Sequence, residues 1–233
     1  DRFPVGESNT IFIGPKIENY YMHGTTPSIY KPVLKAFTLG GNAAAYGAST
    51  DTGAGWVYKA DNGFAISSNI GTKSKSSVVI DPGETYQESG LLTNESKTSW
   101  ATQVGLTKEQ YAVSLMVNMK YNGWSDSYFT AGSAQTGNTT NYGLRTWWRP
   151  IETGTATPEV SFGYDYTTIA DAADTVDSTD AYFVGLSWLD TFRADDRIGI
   201  AFGQPQTRED NTADPFMWEA YYSFKPNDSV TIT

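Results

Sequence analysis

The side chains that could carry covalent chemistry are few. The 233 residues include no cysteine and a single histidine, His23. Without cysteine there is no thiol nucleophile, no disulfide framework and no Cys-ligated zinc. A Ser-His-Asp site would have to recruit His23, which sits in a stretch without periodicity, and no Gly-x-Ser-x-Gly elbow occurs. Neither an enzyme nor a cofactor is expected. Oxygen ligands do gather in one place, at Asp171, Asp174, Asp177 and Asp180, where they could hold a calcium ion. They lack the spacing of an EF-hand loop and read as a solvated connection. Asp81, Glu84, Glu88, Asp210 and Asp214 read the same way, so no metal site is expected. What remains is fixed charge and polarity at Lys59, Gln103, Asn118, Arg145, Arg197 and Glu219, each on the polar side of an alternating segment. In a narrow wet passage such groups set ion preference, because low-dielectric walls focus their field. Arg149, beside Pro150 at a turn, reads instead as a solvated rim residue.

The elements that would position these groups are strands. In residues 213–233, Phe216, Trp218, Ala220, Tyr222 and Phe224 share one face, and Met217, Glu219, Tyr221, Ser223 and Lys225 the other, as a period of two requires. A turn at Pro226, Asn227 and Asp228 is expected before Val230 and Ile232. The same alternation recurs at Ala54, Trp56 and Tyr58, then Phe64, Ile66 and Ile70. It recurs at Trp100 to Leu106, at Tyr111 to Met119, and at Tyr142, Leu144, Thr146 and Trp148. Val160 to Tyr166, Tyr182 to Trp188 and Ile198 to Phe202 complete the series. Asp61, Asn62 and Gly63 form a hairpin turn, since Asn-Gly tolerates the positive φ it needs. Residues 10–17 read as a first strand. Residues 43–48 are a weaker strand candidate. About eleven or twelve strands follow, joined alternately by short turns and long polar loops. Residues 19–50 show no clean periodicity. They are the candidate for a loop folded inward as a constriction, with Lys31 and Lys35 as its possible pore charges.

Composition then separates two all-β architectures. The chain is 14% aromatic with a net charge of −10, which repels phosphate and disfavours nucleic acid. No run approaches the roughly 18 apolar residues of a spanning helix. A barrel needs none, because its lipid face occupies only every second residue. Strands of about nine to eleven residues fit a bilayer crossing better than the globular norm of five to six. Aromatic residues crowd the apolar face near strand ends, as at membrane interfaces. These features favour an antiparallel up-and-down transmembrane β-barrel over a soluble β-sandwich.

The stretches NYGLRTWWRP, AYFVGLSWLD, DRIGIAFGQP and DPFMWEAYYSFKPNDSVTIT resemble the OprB-type porins of cyanobacterial outer membranes, the carbohydrate-selective or iron-uptake porins. The resemblance is carried by a Gly-Leu-x-Trp strand, a Gly-x-Ala-x-Gly-Gln strand and a final Glu-Ala-Tyr-Tyr-x-Phe strand, and covers roughly the last 100 residues. It implies one barrel domain over residues 1–233, part of a larger barrel, in the cell outer membrane. It implies passive diffusion of small hydrophilic solutes, chiefly inorganic ions, and a homotrimer. It also implies a peptidoglycan contact through an N-terminal surface-layer-homology segment that these residues do not contain. Sugar selectivity would need an aromatic ladder, for which Trp147 and Tyr221 are the inward candidates. A secreted carbohydrate-binding β-sandwich and a mainly structural barrel tethered to the cell wall are the alternatives.

Overall fold

In every alternating segment the polar and apolar positions are in register with those of its neighbours, so a single sheet can keep all apolar positions on one side. A computed structural model describes residues 1–41, 51–74, 96–121, 138–170, 177–209, 212–227 and 230–233. It contains one sheet of twelve strands, paired in sequence order. These are β1 (Arg2–Val5), β2 (Asn9–Ile17), β3 (Asp51–Lys59), β4 (Phe64–Ser74), β5 (Ser96–Thr107), β6 (Tyr111–Tyr121), β7 (Thr139–Trp148), β8 (Glu159–Ile169), β9 (Ser178–Leu189), β10 (Arg197–Arg208), β11 (Met217–Asn227) and β12 (Val230–Ile232). Every neighbouring pair is antiparallel. No helix among the described residues is long and apolar enough to cross a membrane.

The up-and-down antiparallel order is the expected one, and the sheet is open, as expected of part of a larger barrel: β1 and β12 each have one neighbour and do not pair with each other. Three expectations need correction. The first strand is β1, which alternation missed because Arg2–Val5 is only four residues long and contains a proline. Pro226 and Asn227 belong to β11, and Asn227 pairs with Val230. A proline is tolerated there because β12 is short and makes only two paired positions, leaving little ladder to break. Finally, β10 runs on to Arg208, past a register shift between Gln204 and Thr207 that hides the strand's second half from a strict period of two. The strand candidate at 43–48 lies outside the described residues.

The two faces of the sheet differ sharply. One is covered and mostly small or polar, with Ala101, Asn118 and Phe183 at 0% exposure. The other is bare and apolar, with Leu115 at 62% and Trp218 at 67% exposure. On alternate strands the bare face shows apolar quartets: Trp100, Thr102, Val104 and Leu106 on β5; Tyr142, Leu144, Thr146 and Trp148 on β7; Tyr182, Val184, Leu186 and Trp188 on β9; Trp218, Ala220, Tyr222 and Phe224 on β11. None contains a charge, and the last three begin and end on an aromatic ring.

Register sets how these quartets align. Leu106 pairs with Val113, and that row continues through Thr146, Phe162, Val184 and Phe202 to Trp218. The last member of the β5 quartet is therefore level with the first member of the β11 quartet. The band moves about six residues, or about 20 Å, while crossing six strand spacings, or about 29 Å. Its slope against the strands' perpendicular is about 35°, within the strand tilt of membrane barrels.

The short turns gather at one end of the sheet. At the β3–β4 turn Gly63 adopts φ 87°, and a Cβ there would run into the carbonyl of Thr107 on the next hairpin. In the β9–β10 turn Asp196 accepts hydrogen bonds from the backbone N–H groups of Thr191, Phe192 and Arg193 and from the hydroxyl of Tyr222. Removal from water raises its pKa, but these four bonds outweigh that and hold the carboxyl below the usual carboxylate range.

Candidate functional site

The covered face owes its burial to the connection that leaves β2. Two short 3-10 turns, Asn19–Met22 and Lys35–Phe37, are its only regular pieces among the described residues. The outward arm starts over β3 and β4, where Met22 lies against Gly55 and Gly24 against Ala65. Thr25 then makes a two-way contact with Gln103 on β5: its N–H donates to Oε1 at 2.8 Å and its carbonyl accepts from Nε2 at 3.0 Å. Trp147 on β7 donates Nε1–H to the carbonyl of Thr26. The N–H groups of Ile29 and Tyr30 reach Ser161 Oγ on β8.

The tip reaches β11. Ser161, Gly185, Ala201 and Glu219 form one cross-strand row, and Tyr30 spans it from end to end. Its hydroxyl donates to Glu219 Oε1 at 2.9 Å. Gly185 and Ala201 must be small for this to happen, since a Cβ on Gly185 would lie 2.6 Å from Tyr30 Cγ. Glu219 also accepts the N–H groups of Val33 at 3.2 Å and Leu34 at 2.5 Å. Tyr30 and Phe37 pack on Phe183 and Ala201 as a small apolar core. Burial and the adjacent Glu219 carboxylate push the Tyr30 phenol well above its ordinary value.

The return arm is held by Arg145. This guanidinium is 1% exposed and all three of its nitrogens are engaged. Nε donates to the carbonyl of Leu39 at 2.8 Å, Nη1 to the carbonyls of Leu144 and Tyr164, and Nη2 to both oxygens of Asp165 at 2.8 and 3.0 Å. A buried pair of this kind, one guanidinium nitrogen shared by both carboxylate oxygens and the other two nitrogens on backbone carbonyls, recovers the cost of burying charge only through such hydrogen bonding. Leu39, Gly40 and Gly41 all have positive φ. This left-handed run brings the backbone down onto Gly163 and Asp165, where only glycine at 40 and 41 fits without strain.

The eight expected positions therefore separate into distinct settings. Gln103, Arg145 and Glu219 lie beneath residues 19–41 and hold them. Asn118 is buried farther toward the long loops, accepting from Ser99 Oγ and, through its carbonyl, from Asn141 Nδ2. Lys59 is on the covered side but exposed at the turn end of β3. Lys31 and Lys35 are exposed on the connection itself. Arg197 is partly exposed, its Nη1 3.4 Å from Glu159 Oε2 and 3.1 Å from Ser187 Oγ. Two cavities of ≈ 390 and ≈ 520 Å³ flank that pair at the turn end. Trp147 and Tyr221 both face inward but are spent on residues 19–41, Tyr221 through a bond to the carbonyl of Lys31.

Sequence reasoning missed Asp165, Glu159 and Ser161 as partners, although alternation already placed all three on the polar face. The missing signal was hairpin register, which puts Arg145 opposite Gly163 and Asp165 opposite Gly143. Of the Asp-rich connection, Asp171 and Asp174 lie outside the described residues. Among the described residues no group of three acidic or histidine side chains is placed to hold a metal ion. No family model, curated protein or solved structure matches the chain.

Proposed function

We propose that this chain is the wall and constriction of an outer-membrane porin, a passive channel for small hydrophilic solutes and chiefly for inorganic ions. The observation that carries this reading is the slanted apolar band. A chargeless band of quartets, crossing the register at about 35°, becomes level when strands are tilted as they are in a bilayer. A soluble sheet gains nothing from that slope, and a second sheet that could cover the band is absent among the described residues. The opposite face supplies the polar wall, and residues 19–41 narrow the space beside it. The family resemblance supports an OprB-type porin assembling as a homotrimer in the outer membrane, with peptidoglycan bound through a preceding segment. Further strands or a second edge contact would close the barrel.

The dense filling of the covered face favours one alternative, a mainly structural barrel with little conductance. Planar-bilayer recording of the purified full-length chain separates the two. Stepwise conductance supports the porin, insertion without conductance supports the structural barrel, and a chain that stays soluble without detergent overturns both.

A further inference from the structure

We infer that the bare face carries a binding groove for one lipid acyl chain, between the indoles of Trp56 on β3 and Trp100 on β5; the inference rests on the porin reading and gives that wall a held lipid at a defined place.

The groove follows from side-chain size and register. Trp56 pairs with Ser68 and Ser68 with Thr102, while in the adjacent row Ala54 pairs with Ile70 and Ile70 with Trp100. Ile11 continues the Trp56 row on β2. The short side chains of Ala54 and Ser68 therefore lie between two indoles and two isoleucines. They floor a cavity of ≈ 610 Å³ that Ile11, Trp56, Ile70 and Trp100 wall, and among the described residues no charged side chain lines it.

Its place in the apolar band fits hydrocarbon. The middle of the β5 quartet is level with Gln103, whose cross-strand row runs through Ser67 and Val57. Toward β3 the band moves about one residue per strand in the direction of the long loops. Its middle therefore falls at Ser68 on β4 and between Ala54 and Trp56 on β3. The groove lies inside the band, not at its border.

The hydrogen bonds identify the occupant. Tryptophan is enriched at membrane interfaces, where the indole N–H meets water. Here the protein itself accepts both: Trp56 Nε1 donates to Asn9 Oδ1 at 2.9 Å, and Trp100 Nε1 to Ser68 Oγ at 2.9 Å. Ser68 Oγ and Thr102 Oγ1 share a further hydrogen bond at 3.1 Å. The polar groups of the groove are turned onto one another, so it presents carbon. A peptide or a lipid headgroup would bury donors and acceptors there with nothing to meet them. A methylene chain brings none, and it can cover ring faces that are 39% exposed at Trp56 and 41% exposed at Trp100.

The test uses parinaric acid, a fluorescent polyene fatty acid, titrated into the full-length protein in a bile-salt detergent, which has no alkyl chain to compete. Energy transfer from tryptophan reads binding. Wild type is expected to show one saturable site per chain. Ala54→Leu, which fills the floor, and Trp100→Ala, which removes a wall, should each weaken it by about tenfold. Ala220→Leu, on the same bare face but outside the groove, should leave it unchanged. Uptake that never saturates, or a saturable site that Ala54→Leu does not weaken, overturns the inference. Wild type that takes up no probe, and runs as an associated form that Ala54→Leu dissociates, gives the groove to a second copy of the chain and likewise overturns it. Planar-bilayer recording keeps the two readings apart. A conducting channel without the saturable site sinks this inference alone, whereas a chain that never inserts but binds the probe at Ala54 and Trp100 keeps the groove and loses the porin.

Discussion

Leu115 tests the membrane reading most directly. It sits on β6 in the bare face, 62% exposed, between Val104 and Leu144 in the cross-strand row. That row passes through the middle of the apolar band. In water, replacing an exposed leucine on a sheet surface changes stability by no more than about 0.5 kcal/mol. At the midplane of a bilayer an arginine on the lipid face of a barrel costs about 2–4 kcal/mol. The two environments thus predict different outcomes for one substitution. Leu115→Arg should lower the folded-to-unfolded ratio roughly 30- to 700-fold in phospholipid vesicles, at 1.4 kcal/mol per tenfold. Ile151→Arg is the internal control, because Ile151 is 85% exposed in the β7–β8 turn and lies beyond the band; it should be close to neutral. Urea titration of the vesicle-inserted protein, followed by tryptophan fluorescence, reads both. Equal small costs at the two positions would refute the assignment of the bare face to lipid.

Three further outcomes follow from the covered side. Arg145→Ala removes the guanidinium from Asp165, whose side chain is 1% exposed, and should cost about 3–5 kcal/mol in the same urea titration; a cost under about 1 kcal/mol would show that the pair is not what holds this part of the covered face. Glu219→Gln weakens three charge-assisted bonds to the segment tip, worth about 1.5–3 kcal/mol each with the charge present. Amide exchange at Val33 and Leu34 should accelerate while β11 stays protected, and unchanged exchange would mean the apolar core alone holds the tip. Because the Asp196 carboxyl is held below its unfolded value, its contribution to the β9–β10 turn is present above about pH 4 and is lost as pH falls through the lower folded value. The amides of Thr191, Phe192 and Arg193 should lose protection over that acid window, and Asp196→Asn should remove the pH dependence; a turn equally protected on both sides of it would contradict the assignment.

Much of this molecule is written in its alternation. A period of two fixes which residues share a face, so the quartets at Tyr142, Leu144, Thr146 and Trp148 or at Tyr182, Val184, Leu186 and Trp188 were legible before any coordinates. So was the polarity of Arg145, Arg197 and Glu219, since a one-residue slip would have moved every neighbour with them. The scarcity of reactive side chains was equally plain from composition.

Register and long-range docking were not legible. Two quartets of identical pattern can be level or offset, and only the pairing of Leu106 through to Trp218 makes the band slope. Arg145 looked like a free lumen charge because nothing local announces that Leu39, 106 residues away in sequence, will descend on it. Residues 19–41 carry no period because their backbone groups bond to side chains of the sheet and not to one another in a ladder, and such contacts leave no repeat in the sequence. The alternation determined which face each residue takes. The tertiary structure decided which of the inward polar groups are spent holding the covering segment, as Arg145 and Glu219 are, and which keep unused donors, as Arg149 and Arg197 do. That division depends on where a connection far away in sequence comes to rest, a matter of shape complementarity that no local pattern encodes.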